Sequence, residues 1–240
     1  MLIVQSINKI ILTMGKKAIL ASFVLATTLF SSTMNAEDNF NIHNEYYCQR
    51  TTLFSQLPIG KKDIIFLGDS QTNGCEWHEL MGMSNVKGRG ISADIVQGFI
   101  DRIDPIIEGQ PAKLFILGGV NDLSHNVTPD SICRVMERLI VKVQQGSPRT
   151  KIYLQSLLPV DNRITIYRKM IGKEQDIIET NKLYKALAER LGVTFVDLYS
   201  KMVDPATGYM REGLTNDGLH VTGEGYLVWR DVVLPYVKKK

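Results

Sequence analysis

Cysteine is scarce in this chain. Among its 240 residues only Cys48, Cys75 and Cys133 occur, an odd set with no C-x-x-C pair. The four histidines, His43, His78, His125 and His220, form no H-x-x-x-H spacing, so the ligand pattern of a structural zinc site is missing. One disulfide with one thiol left over remains open. Glycine and proline, at 19 and 8, are too few for a collagen-like or low-complexity chain. Charge of one sign is lacking too. Lys and Arg number 28 against 25 Asp and Glu, and three of the positives, Lys9, Lys16 and Lys17, fall in the first 36 residues, which hold no acid. The remainder balances at 25 against 25. The basic footprint of a nucleic-acid binder is therefore absent.

Long hydrophobic runs are also missing. Residues 18–30 (AILASFVLATTLF) are uncharged for 13 positions, short of the ~20 that a membrane span needs. Lys16-Lys17 before the run, and Ser31-Ser32-Thr33-Met34-Asn35-Ala36 after it, complete a secretory signal pattern with a cut after Ala36. Met14 is the natural start, and an uncleaved N-terminal anchor is the alternative. The sequence thus divides into a signal peptide at 1–36, a polar leader at 37–60 and one working domain at 61–240, outside the cytoplasm in a secreted or periplasmic setting.

Within that domain apolar runs alternate with helix-period segments. Strands are predicted at 63–67, weakly at 85–87, at 113–117 (KLFIL), 152–154 and 193–196. Helices are predicted over 92–107, where apolar residues recur at three- and four-residue steps, from Pro129 to Gly146, over 175–191, and, after the last strand, over 222–237. Strand and helix in strict alternation mean an α/β domain with a parallel sheet covered on both faces. Five strands with right-handed crossovers favour a doubly wound, flavodoxin-like sheet.

In such a sheet ligands bind at the carboxyl ends of the strands. Gly68-Asp69-Ser70, Gly88-Arg89-Gly90 and Gly119-Val120-Asn121-Asp122 fall at three of those ends, and Asp217-Gly218-Leu219-His220 enters the last helix. These residue types suit acyl transfer. Ser70 is the candidate nucleophile, His220 its base, and Asp217 the group that fixes the imidazole tautomer. Backbone N–H of Ser70 and Gly90 and the side-chain amide of Asn121 are candidate oxyanion donors. Glycine at 90 would let the main chain approach a substrate.

Those four blocks, in this order, resemble the SGNH/GDSL hydrolase superfamily. Residues 219–226 (LHVTGEGY) are similar to its acylhydrolases of the platelet-activating-factor acetylhydrolase type. The resemblance covers residues 63–236. It implies a flavodoxin-like three-layer αβα sandwich with a five-stranded parallel sheet, and ester hydrolysis with Ser70, Asp217 and His220 as triad. It also implies Ser70, Gly90 and Asn121 as oxyanion donors, and neither a metal nor an organic cofactor. Gln71 stands where a leucine gives the GDSL name, and Ala93 where many relatives carry glycine.

The expectation is an exported serine esterase acting on a small-molecule ester, an acetylated sugar or lipid alcohol. A lysophospholipase or thioesterase of the same superfamily is the near alternative, and a non-catalytic carbohydrate-binding domain the distant one. Trp77 and His78 could wall an acyl pocket; Trp77 could equally be packing under the first helix. Residues 159–173, with Arg163, Tyr167, Arg168, Lys169 and Lys173, read as a solvated cationic loop that could also border the alcohol side of the substrate. Gly88-x-Gly90-x-x-Ala93 imitates a dinucleotide fingerprint but lacks the strong strand before it. No G-x-S-x-G elbow occurs, against an α/β-hydrolase.

Overall fold

Five short strands build the sheet, two of them from runs buried on both faces. In the computed structural model, which describes residues 45–239, they are β1 (Ile64–Gly68), β2 (Val86–Gly90), β3 (Lys113–Leu117), β4 (Lys151–Gln155) and β5 (Thr194–Val196). The signal-peptide reading of residues 1–36 lies outside the described residues. All strands pair in parallel, in the order β2-β1-β3-β4-β5. Around them run α1 (Glu45–Gln56), α2 (Ser70–Asn73), α3 (Trp77–Met81), α4 (Val96–Asp101), α5 (Asp104–Gly109), α6 (Val120–Ser124), α7 (Pro129–Gly146), α8 (Glu174–Leu191), α9 (Tyr199–Met202) and α10 (Gly223–Lys238).

Every residue of β1 and β3 is buried, as two covered faces require. Successive side chains go to opposite layers. Ile65, Leu67, Leu114 and Ile116 join a core with Phe99 of α4, Leu139 of α7 and Tyr184 of α8. Phe66, Phe115 and Tyr153 face the other way, toward Trp77, Trp229 and Val233. Because Phe66 is in register with Phe115, and Phe115 with Tyr153, their rings stack across the sheet, and Trp77 closes the row 4.0 Å from Phe66. Two cores on either side of one sheet make the three-layer αβα sandwich, and the 2-1-3-4-5 order is flavodoxin-like.

Helix ends follow local chemistry. Thr128 caps α7 by accepting from the Ser131 N–H, and Pro129 occupies the first turn, where no N–H is needed. Lys113, buried at the start of β3, donates from Nζ to the carbonyls of Tyr236 and Val237, which satisfies the end of α10.

The helix expected over 92–107 is two helices. Pro105 cannot donate into a continuing helix and fits only a first turn, so the chain breaks at Arg102–Ile103 and restarts as α5 with Pro105 in its opening turn. The segment read as a leader contributes α1, whose Tyr47 and Phe54 are buried with Ile91; Tyr47 donates to the Gly98 carbonyl. All three cysteines carry free thiols, so the open disulfide does not form.

Candidate active site

Ser70 opens α2 directly after β1. Asp69 caps that helix, its Oδ1 accepting from the Gln71 N–H at 3.0 Å. Across the sheet edge, 150 residues later, His220 stands before α10. Its Nε2 is 2.8 Å from Ser70 Oγ, and its Nδ1 is 2.8 Å from Asp217 Oδ2. The other oxygen of Asp217 accepts the N–H groups of Leu219 (2.9 Å) and His220 (2.8 Å). Burial works to raise this carboxyl, but those two amide bonds and the His220 ring outweigh it and hold Asp217 below the usual carboxylate range.

Two further features set the loop that carries the pair. Gly218 has φ +89°, and a Cβ there would lie 2.6 Å from the Asp161 carbonyl oxygen. Its own carbonyl accepts the Asp161 N–H at 2.8 Å, so the loop lies flat against residues 161–164. Gln71, fully buried, donates from Nε2 to the Leu219 carbonyl at 2.9 Å, and its own carbonyl accepts the Tyr226 hydroxyl. The residue that departs from the family's leucine therefore ties the serine helix to the histidine loop.

The expected oxyanion donors occupy the same edge. Gly90 ends β2, in register with Gly68. Its glycine identity has a structural cause as well: a Cβ would lie 2.2 Å from Asn73 N, against the main chain of α2. Asn121 faces the cavity above Ser70, and its Nδ2 donates to the Asp94 carbonyl at 2.8 Å, which fixes the amide plane. Behind it Asp94 pairs with Arg102 at 2.7 Å, and the same guanidinium donates to the carbonyls of Gly68 and Arg89, joining the ends of β1 and β2. Burial pushes Asp94 up to about 6 and Asp69 up to about 7. Asp122 accepts the Val96 N–H, a structural part like that of Asp69.

Trp77 and His78 do not wall this site. Trp77 is 1% exposed, stacked in the aromatic row and donating to the Thr72 carbonyl, because the turn at Gly74–Glu76 directs α3 onto the sheet. His78, on the outer face of α3, is exposed and lies 3.5 Å from Glu79. The cavity of about 420 Å³ is instead lined by Ser70, Ser92, Ala93, Asn121, Ser124, Leu219, His220 and the run Ile166–Met170. Tyr167 meets the His220 ring edge-on at 5.1 Å. Ser92, Ser124 and Ile166 were not singled out in the sequence; Ile166 falls in the cationic loop, which gave a signal, and the two serines gave none. Ala93 holds φ +62°, a conformation that suits the glycine many relatives carry.

A hydroxyl, an imidazole and an ionised carboxylate in hydrogen-bonded series, with N–H donors nearby, can perform nucleophilic acyl transfer. The model of the GDSL-like lipase/acylhydrolase family matches residues 66–228. Among solved structures, a protein from Streptococcus pneumonia assigned as a platelet activating factor is 26% identical with a TM-score of 0.72, over 89% of this chain and 99% of its own. An assigned acylhydrolase from Bacteroides fragilis is 25% identical (TM-score 0.70; 84% and 98% covered). A GDSL-like lipase from Bacteroides thetaiotaomicron is also 25% identical (TM-score 0.70; 80% and 97% covered). No curated protein matches the chain.

Proposed function

Because the chain belongs to the GDSL-like lipase/acylhydrolase family and is a carboxylic ester hydrolase, we propose that it is an exported serine esterase removing a short acyl group, acetyl above others, from a sugar or lipid alcohol. The observation that carries this reading is the unbroken series from Ser70 Oγ through the His220 ring to Asp217.

In this mechanism Ser70 Oγ attacks the ester carbonyl while His220 Nε2 takes its proton. Negative charge on the carbonyl oxygen is met by the N–H groups of Ser70 and Gly90 and the amide of Asn121. The carbon–oxygen bond to the alcohol then breaks, and His220 returns the proton to the leaving oxygen. Water, activated by the same imidazole, releases the acid and restores Ser70. Asp217 holds the proton-bearing Nδ1 throughout.

The short acyl group is supported by the lining of the cavity. Among the described residues Met170 and Leu219 are its buried apolar side chains, Ile166 and Tyr167 line it but are exposed, and Ser92, Asn121, Ser124, Arg168 and Lys169 are polar or charged. A tunnel for a fatty acyl chain would gain ~0.8 kcal/mol per methylene enclosed by apolar walls, whereas the apolar side chains of Ile166 and Tyr167 here are exposed. Export rests on the signal pattern of residues 1–36.

A p-nitrophenyl ester series from acetyl to dodecanoyl, read as kcat/KM, tests the reading. Acetyl should outrun butyryl, and octanoyl should be poor. A rate climbing steadily to octanoyl would replace it with the lysophospholipase or thioesterase alternative. Mature protein collected outside the cytoplasm should begin at Glu37.

A further inference from the structure

The segment between β4 and α8 carries four cations, Arg163, Arg168, Lys169 and Lys173. Two are neutralised beside their own positions. Arg163 grips Asp161 with Nε and Nη2 at 2.8 and 2.6 Å, and Lys173 Nζ is 3.1 Å from Asp176. The other two face the cavity above Ser70, and among the described residues neither Arg168 nor Lys169 has an ion pair. Among the described residues no Asp or Glu lines that cavity. Asp217 is already engaged by the His220 ring and two amides.

The backbone that carries these two exposed side chains is anchored on both sides. On one side Asp161 is buried and bonded to the Gly218 carbonyl; on the other Met170 is 3% exposed in the core. Tyr167, the residue before Arg168, packs against the ring of His220. His220 must face the leaving oxygen to return its proton, whereas the acyl oxygen lies toward Gly90 and Asn121. The neighbours of Tyr167 thus flank the leaving-group side.

We propose that Arg168 and Lys169 form a subsite for the alcohol portion of the ester, and that the natural substrates carry an anion there, a carboxylate or a phosphate. This rests on the esterase reading above. Both side chains are exposed, so their attraction for an anion is one that salt screens, and each presents several N–H donors to carboxylate or phosphate oxygens.

The test compares 4-acetoxybenzoate and 4-acetoxyphenyl phosphate with uncharged 4-acetoxybenzamide, all losing the same acetyl group. Each is measured on the wild-type chain, on Arg168→Gln/Lys169→Gln and on the charge-keeping Arg168→Lys/Lys169→Arg. The readout is the anionic-to-neutral ratio of kcat/KM within each protein, so a general loss of activity cancels. The ratio should drop about tenfold in the glutamine pair, survive in the charge-keeping pair, and shrink with added salt in the wild type. The larger response of the two anionic probes separates carboxylate from phosphate. An equal ratio in wild type and glutamine pair overturns the proposal. Protection of Ser70 from a fluorophosphonate by 4-hydroxyphenyl phosphate, compared with 4-hydroxybenzamide, reads the same subsite without turnover; equal protection overturns it as well. A chain that hydrolyses none of the probes and is not labelled at Ser70 fails instead at the esterase reading.

Discussion

At the residue scale, Asp217 does two things that a neutral amide cannot do together. One oxygen accepts two backbone N–H groups and fixes the loop, and the other accepts the imidazole proton. In Asp217→Asn the side-chain oxygen can keep the backbone bonds, but the NH2 then points at Nδ1 of His220. The imidazole must accept there and carry its proton on Nε2, facing Ser70 when it should be receiving. Turnover should fall by about 10³–10⁴-fold while the fold is retained, since the loop anchors survive. The measurement is kcat on an acetyl ester beside a thermal melt; a loss below about tenfold would assign the orientation of His220 to another group. Ser70, Asp217 and His220 were legible in the sequence because their order and short local spacings are set by strand ends. Trp77 was not. Seven residues after Ser70 is within reach of the pocket, and only the turn at Gly74–Glu76, invisible to periodicity, decides that the indole faces the core.

At the scale of elements, long strands and helices could be read because burial on both faces or one face leaves a run or a period. KLFIL is β3 residue for residue, and α7 runs from Pro129 to Gly146 as its cap and stop residues require. The short helices α2, α3, α6 and α9 have four or five residues each, too few for a period to show. Yet α2 and α6 carry Ser70 and Asn121. The contact of α2 with β2 is backbone against backbone, because Gly90 meets the main chain of Thr72 and Asn73. Gly90→Ala should therefore push α2 off the sheet rather than merely fill a pocket. A destabilisation of about 1–3 kcal/mol or more is expected, seen as a lower urea midpoint, together with a loss of kcat as Ser70 shifts. Unchanged stability with a raised KM would instead return Gly90 to the substrate-approach role expected of it.

At the scale of the whole molecule, one edge of the sheet collects three buried or nearly buried carboxyl groups, Asp69, Asp94 and Asp122, at the ends of β1, β2 and β3. The alternation of strands and helices made this edge legible as the place of the site, but burial of its acids depends on how tightly three loops close over them. Asp69 is the extreme case. It is fully buried, and among the described residues its Oδ2 has no hydrogen-bond partner. Burial first, then the charges of Asp94 and Asp122, push it up to about 7, against the opposing Gln71 N–H bond and Arg102. The folded chain therefore keeps a proton on Asp69 at pH values where the unfolded chain, near 3.8, has released it. A folded state that binds more protons loses stability as pH rises. The stabilisation is complete below the unfolded value and is lost through about pH 7. A rise of roughly three pKa units corresponds to at most about 4 kcal/mol, and Asp94 adds in the same direction up to about 6. Asp69→Asn keeps an oxygen for the Gln71 N–H and stays neutral at every pH. Urea midpoints at pH 5 and pH 8 should drop steeply in the wild type and much less in Asp69→Asn. Parallel pH profiles for the two proteins would mean that Asp69 ionises in the folded state as readily as in the unfolded one.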